Sequence, residues 1–120
     1  EINNPYCKLL LDTFHMNIEE DYIPDAIRAA SDKGYLGYIH IGEANRKIPN
    51  GEKKTNIDWE AIAETIKDIG YDGPFIMEPF VLESSSSAKS VSLWREIKDG
   101  TDIDSLVADA AAGVKFFKSL

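Results

Sequence analysis

The chain is predicted to be an α/β protein built on a parallel sheet, and three features of its 120 residues lead there. Its strands are short apolar runs of the kind buried on both faces. Amphipathic helices separate them, supplying the crossovers that parallel strands require. Each strand also ends, on its carboxyl side, in a residue able to bind metal or move protons. A doubly wound sheet and part of an eight-fold β/α barrel both satisfy this pattern, although three strands cannot close a barrel.

Taken in order, the first strand is predicted over Lys8 to Phe14, where KLLLDTF follows a loop-like lead, EINNPYC. Its helix runs from Tyr22 to Lys33, with Ile23, Ile27 and Ala30 on one face, Pro24 in the first turn and Gly34 as the stop. The acidic run Glu19-Glu20-Asp21 is expected at the solvated entrance of that helix, where its dipole favours negative charge. The second strand covers Gly37 to Ile41, and a long polar loop, GEANRKIPNGEKKTN, follows it. Asp58 is placed to cap the next helix, with Ile57 and Ile62 as a hydrophobic staple. Trp59, Ile62, Ala63, Ile66 and Ile69 form its buried stripe, and Gly70 ends it.

The turn Asp72-Gly73-Pro74 leads into a third strand, PFIMEPF. A serine cluster, Ser84 to Ser87, is too short to be a linker. A short helix is expected over Ser90 to Lys98, around Leu93, Trp94 and Ile97. The last helix is expected from about Asp102 to Leu120, with Ile103, Leu106, Val107, Ala110, Val114 and Phe117 on one face. Trp59 and Trp94 read as core residues.

Composition narrows the function classes. The hydrophobic share is 43% and the charged share 28%, as in ordinary globular proteins. The net charge of −8, from 13 basic and 21 acidic residues, disfavours a nucleic-acid or anionic-membrane surface. Lys53-Lys54 is too short a basic cluster to change that. No apolar run approaches a membrane span and no signal peptide is visible. The single cysteine, Cys7, cannot form an internal disulfide, fits a reducing cytoplasm, and is expected to be a buried strand residue.

The strand ends carry the chemistry. Strand one ends in Asp12 and His15, strand two in His40 and strand three in Glu78. In parallel β/α folds the carboxyl ends lie at one edge, so Asp12, His40 and Glu78 should converge there. Singly, each has an ordinary alternative: a helix cap for Asp12, a satisfied or exposed ring for His15, a salt-bridge partner for Glu78. The same phase in three successive units favours a mixed carboxylate and imidazole metal site, suited to Mn²⁺, Mg²⁺ or Co²⁺. Arg46, in the loop over the same edge, offers a forked pair of donors to substrate oxygens. Phe80 is either an apolar wall of the pocket or plain packing, and Glu43 receives no role.

The stretches LLLDTFHMNIEE, YIHIGEANRKIPNG, FIMEPF and LWREIKDGTDIDSL resemble the carboxyl-terminal half of the D-tagatose 3-epimerase family, which includes D-psicose (D-allulose) 3-epimerases and is related to xylose-isomerase-like barrels. The resemblance covers nearly the whole chain, and implies a partial TIM barrel: its last three β/α units, with residues 1–120 as the carboxyl-terminal portion of a sugar epimerase domain. It further implies Asp12, His40 and Glu78 as ligands of a divalent metal, Mn²⁺ above all. Glu78 would also be one of two acid/base residues, with His15, Arg46 and Phe80 contacting the sugar. The reaction implied is removal of the ketose C3 proton and its return to the other face through an enediolate, with no redox cofactor. The partners implied are a small ketose and, in the full-length form, further copies of the chain. The family's second glutamate has no counterpart in this sequence, so the 120-residue chain is expected to be nearly inactive alone and to self-associate. The alternatives are a hydroxypyruvate isomerase or inosose dehydratase type of the same superfamily, and a non-catalytic fragment.

Overall fold

A computed structural model of the chain describes residues 2, 4–52, 55–80, 86–91 and 102–120. The elements, in chain order, are β1 (Leu9–Asp12), α1 (Thr13–Glu19), α2 (Ile23–Asp32), β2 (Leu36–Ile41), α3 (Trp59–Asp68), β3 (Phe75–Met77), α4 (Ser86–Ser90) and α5 (Ile103–Phe117). The three strands form one parallel sheet in the order β1-β2-β3. Parallel neighbours demand crossovers, which α2 and α3 supply. No helix among the described residues is long and apolar enough to cross a membrane.

The first strand is shorter than its apolar run suggests. It stops at Asp12, whose Oδ1 accepts the Phe14 backbone N–H at 2.9 Å and so caps α1. A side-chain cap competes with continued strand here, and the turn it opens buries Thr13 and Met16. Glu19 and Glu20 consequently lie at the carboxyl end of α1, not at a helix entrance, and both are exposed. Cys7 precedes the strand and is exposed rather than buried.

The two helices beside β2 follow their patterns closely. α2 has Pro24 in its first turn and buries Ile23, Ile27 and Ala30. Gly34 and Gly70 then turn the chain with φ of +67° and +62°, left-handed values that cost other residues more. Asp58 caps α3 by accepting the Ala61 N–H at 3.0 Å. Ile57, Trp59, Ile62 and Thr65 are buried, while Ala63, Ile66 and Ile69 are only half-buried. The core therefore centres on β2, with Ile27, Ile39 and Ile62 at 0%, 0% and 2% exposure.

The outer elements depart from expectation. Leu9 and Leu10 of β1 are 47% and 41% exposed, and Phe75 and Ile76 of β3 are 37% and 41% exposed, so neither strand is buried on both faces. Both are edge strands, and each lacks a neighbour on one side within the described sheet. In α5 the apolar stripe is covered only in part: Ile103, Val107 and Val114 stay exposed. That helix sits close through Gly113, where a Cβ would meet Ile48 Cγ2 at 2.5 Å and Met77 Cε at 3.0 Å. Ser86 to Ser90 forms the short α4. The expected helix around Leu93, Trp94 and Ile97 lies outside the described residues, as does the pair Lys53-Lys54.

Candidate metal and sugar site

Strand register decides what meets at the sheet's carboxyl edge. Asp12 of β1 is the Cα partner of His40 in β2, and Ile41 is the partner of Met77, after which Glu78 leaves β3. His40 Nδ1 lies 3.2 Å from Glu78 Oε2 and 3.9 Å from Asp12 Oδ2. One ligand atom from each of Asp12, His40 and Glu78 lies within 4.8 Å of the others. The Asp12 and His40 side chains are largely withdrawn from water, at 16% and 17% exposure, whereas Glu78 is at 48%.

Asp12 divides its two oxygens between two tasks. Oδ1 holds the first turn of α1 through Phe14, and this orients Oδ2 toward His40. Capping α1 therefore does not take Asp12 out of the three-residue group. Behind it, the Thr13 hydroxyl donates to the Gly42 carbonyl at 2.8 Å and accepts the Gly42 N–H at 3.0 Å, tying the ends of β1 and β2 together. Two carboxylates and an imidazole form a donor set for a divalent cation of intermediate hardness. The cleft lined by Asp12, Phe14, His40, Ile41, Gly42, Arg46 and Glu78 holds about 10 Å³, the room of one ion or water and not of a sugar.

Arg46 reaches this cleft from the β2–α3 loop. Its guanidinium carbon stands 3.9 Å from the Phe14 ring centroid and 5.2 Å from that of Phe80. Its backbone has φ of +65°, which costs a non-glycine residue roughly 1–2 kcal/mol. Phe80 is fastened to it, donating its N–H to the Arg46 carbonyl at 3.2 Å. His15 stands apart from the three-ligand group. It is exposed on α1, edge-on to Phe14 at 5.1 Å, and does not line the small cleft.

Two residues without a role in the sequence pattern belong to this edge. Phe14 read only as strand, yet it supplies the ring under Arg46. Glu43 is buried at 6% exposure, and its Oε1 accepts the Trp59 indole N–H at 2.9 Å. Glu43 Oε2 is also buried, without a hydrogen-bond partner among the described residues. Burial pushes the Glu43 carboxyl above its ordinary range, and the Thr55 and Trp59 side chains draw it back only in part. The loop hides this pairing from the sequence, because Glu43 and Trp59 meet across a segment with no periodicity.

Residues 1–105 match the family of xylose isomerase-like TIM barrels, and the chain belongs to that family. Among its curated relatives, the chain is 43% identical over 116 residues to a D-psicose 3-epimerase of Ruminiclostridium cellulolyticum, covering 97% of this chain and 38% of the relative. It is 42% identical over 109 residues to a D-psicose 3-epimerase of Agrobacterium fabrum, covering 91% of this chain and 36% of the relative. The structure superimposes on the crystal structure of D-psicose 3-epimerase with D-tagatose from Clostridium cellulolyticum H10. There the TM-score is 0.83 at 45% identity, over 93% of this chain and 37% of that one. The chain thus spans well under half the length of these proteins, as a three-stranded part of a TIM barrel.

Proposed function

We propose that this chain carries part of the active site of a ketose 3-epimerase of the D-psicose or D-tagatose kind. In this reading residues 1–120 are the carboxyl-terminal portion of the barrel and supply its last three β/α units. The convergence of Asp12, His40 and Glu78 at one sheet edge carries the proposal, joined to the identity with D-psicose 3-epimerases. The three residues would hold a divalent cation, Mn²⁺ foremost, with Co²⁺ or Mg²⁺ as substitutes. When bound, such an ion would polarise the ketose carbonyl and make the adjacent C3 proton more acidic.

The chain's own groups then divide the remaining work. Glu78, the most exposed of the three, removes or returns the C3 proton on its side of the sugar. Arg46 holds substrate oxygens through its forked donors while its flat faces rest on Phe14 and Phe80. His15 donates to a sugar oxygen from the exposed first turn of α1, and Phe80 walls the apolar side. Epimerisation also needs an acid/base group on the opposite face of C3. The cluster's other carboxylate, Asp12, is taken up by the proposed cation and by the cap of α1, which leaves Glu78 as the one acid/base group of that cluster, so the 120-residue chain should turn over poorly alone. We place the protein in the cytoplasm, in keeping with its single cysteine, and infer that the full-length form associates with further copies of itself.

Titration with Mn²⁺ should give one ion per chain, and Asp12→Ala or His40→Ala should weaken it by at least about a hundredfold. With Mn²⁺ and D-tagatose in D₂O, slow exchange of the C3 hydrogen should disappear in Glu78→Gln, with net epimerisation negligible. Mn²⁺ binding indifferent to Asp12, or exchange indifferent to Glu78, would overturn the reading.

A further inference from the structure

The proposed sugar-holding arginine sits on a loop, and a loop left to itself would not hold a guanidinium in one place. Here the loop is folded tightly. The Arg46 N–H donates to the Glu43 carbonyl at 2.8 Å, and the Glu43 N–H donates to the Lys47 carbonyl at 2.9 Å. That double closure puts Arg46 in its left-handed conformation, a geometry that persists only when surrounding contacts enforce it. One end of the turn is fixed at Gly42 by the Thr13 hydroxyl. The other tie is the Glu43 side chain, which leaves the turn, enters the interior and accepts the Trp59 indole N–H at 2.9 Å. Trp59 opens α3, is 4% exposed, and stands edge-on to Phe117 of α5 at 5.3 Å, so the donor itself cannot wander.

We infer that the Glu43–Trp59 hydrogen bond is a clasp that positions Arg46 over Phe14 and Phe80, making Glu43 a positioning residue for sugar binding. The sugar-binding consequence rests on the role proposed for Arg46; the clasp itself rests on the geometry alone. A carboxyl group taken down to 6% exposure is costly to keep for packing alone. The cost is understandable if the hydrogen bond to Trp59 must orient a turn. The clasp also reaches Phe80, whose N–H is bound to the Arg46 carbonyl, so both proposed sugar contacts from the loop side depend on it.

The test uses the 120-residue chain and compares Glu43→Ala, Glu43→Gln and Trp59→Phe with the parent. Trp59→Phe keeps an aromatic ring against Phe117 but removes the donor; Glu43→Gln keeps an oxygen acceptor. The primary readout is the Arg46 Nε–H resonance, which the Phe14 ring current should displace upfield. In Glu43→Ala and Trp59→Phe that displacement should collapse, while Glu43→Gln should retain it. D-Tagatose affinity should fall about tenfold in the first two variants, with Mn²⁺ affinity changed less than about twofold. An unmoved Arg46 resonance in folded Trp59→Phe overturns the clasp, and that variant decides the matter if Glu43→Ala does not fold. A parent that binds no D-tagatose counts against the proposed function, while the Arg46 resonance still decides the clasp.

Discussion

The middle unit of the sheet and its two flanks are made of similar residues but have different fates. In β2, Ile39 and Ile41 are 0% and 2% exposed, with strands on both sides and α2 and α3 against the sheet. In β1 and β3, the equally apolar Leu9, Leu10, Phe75 and Ile76 are each more than a third exposed. Side-chain chemistry cannot explain the contrast; the number of neighbours does. A strand drawn from a barrel has two partners by design, and a three-stranded part supplies two partners only to its middle strand. At the carboxyl edge the flanks still converge on the middle strand, although Glu78 stays 48% exposed. Asp12 and Glu78 both turn toward His40, so the candidate metal-binding cluster is centred on the strand that has a neighbour on each side.

The sharpest way to break this comparison is to remove matched apolar volume from the two regions. Ile39→Ala should cost about 2–5 kcal/mol in a urea-unfolding measurement, because the cavity it leaves has neighbours on every side. Leu10→Ala, at a site already 41% open to water, should cost about 1 kcal/mol or less. Equal costs would mean that β1 is supported in solution by something beyond this sheet. A second, smaller effect concerns the flanks alone. Leu10→Lys with Ile76→Lys should reduce self-association in sedimentation runs without loss of helical circular dichroism, since charged residues on edge strands block edge-to-edge pairing.

The smallest expected effect lies in the loop above β2. Burial raises the Glu43 carboxyl above its ordinary value of 4.5, so the fold penalises its ionised form. The stability held by the neutral form is complete below that ordinary value and is lost as pH rises through the raised one. Glu43→Gln cannot ionise and should therefore gain stability relative to the parent as pH rises above that ordinary value. A difference that stays flat with pH would show that Glu43 is not buried in solution.

Much of this was legible in the residues. The caps at Asp58, the turns at Gly34 and Gly70, and the burial of Ile23, Ile27, Ile57, Trp59 and Ile62 follow from local pattern, because helices and their ends are set by neighbours in sequence. The meeting of Asp12, His40 and Glu78 was legible too, since parallel strands present their carboxyl ends together. Other features escaped for identifiable reasons. The short helix α1 was masked by an apolar run that continues through Phe14, and Cys7 falls before a strand that starts later than its hydrophobicity implies. His15, read as the end of the first strand, lies on α1 because the chain turns into that helix after Asp12.

The sequence by itself determined the class of fold, the order of its units and the donor types at each strand end, all of which depend on short-range periodicity and composition. Only the tertiary structure decided which oxygen of Asp12 caps and which faces His40, how Arg46 is seated on Phe14, and that Glu43 is bound to Trp59. Those contacts join segments separated by strands and loops. They are set by register, by the twist of the sheet and by what else must be buried, none of which a local pattern records.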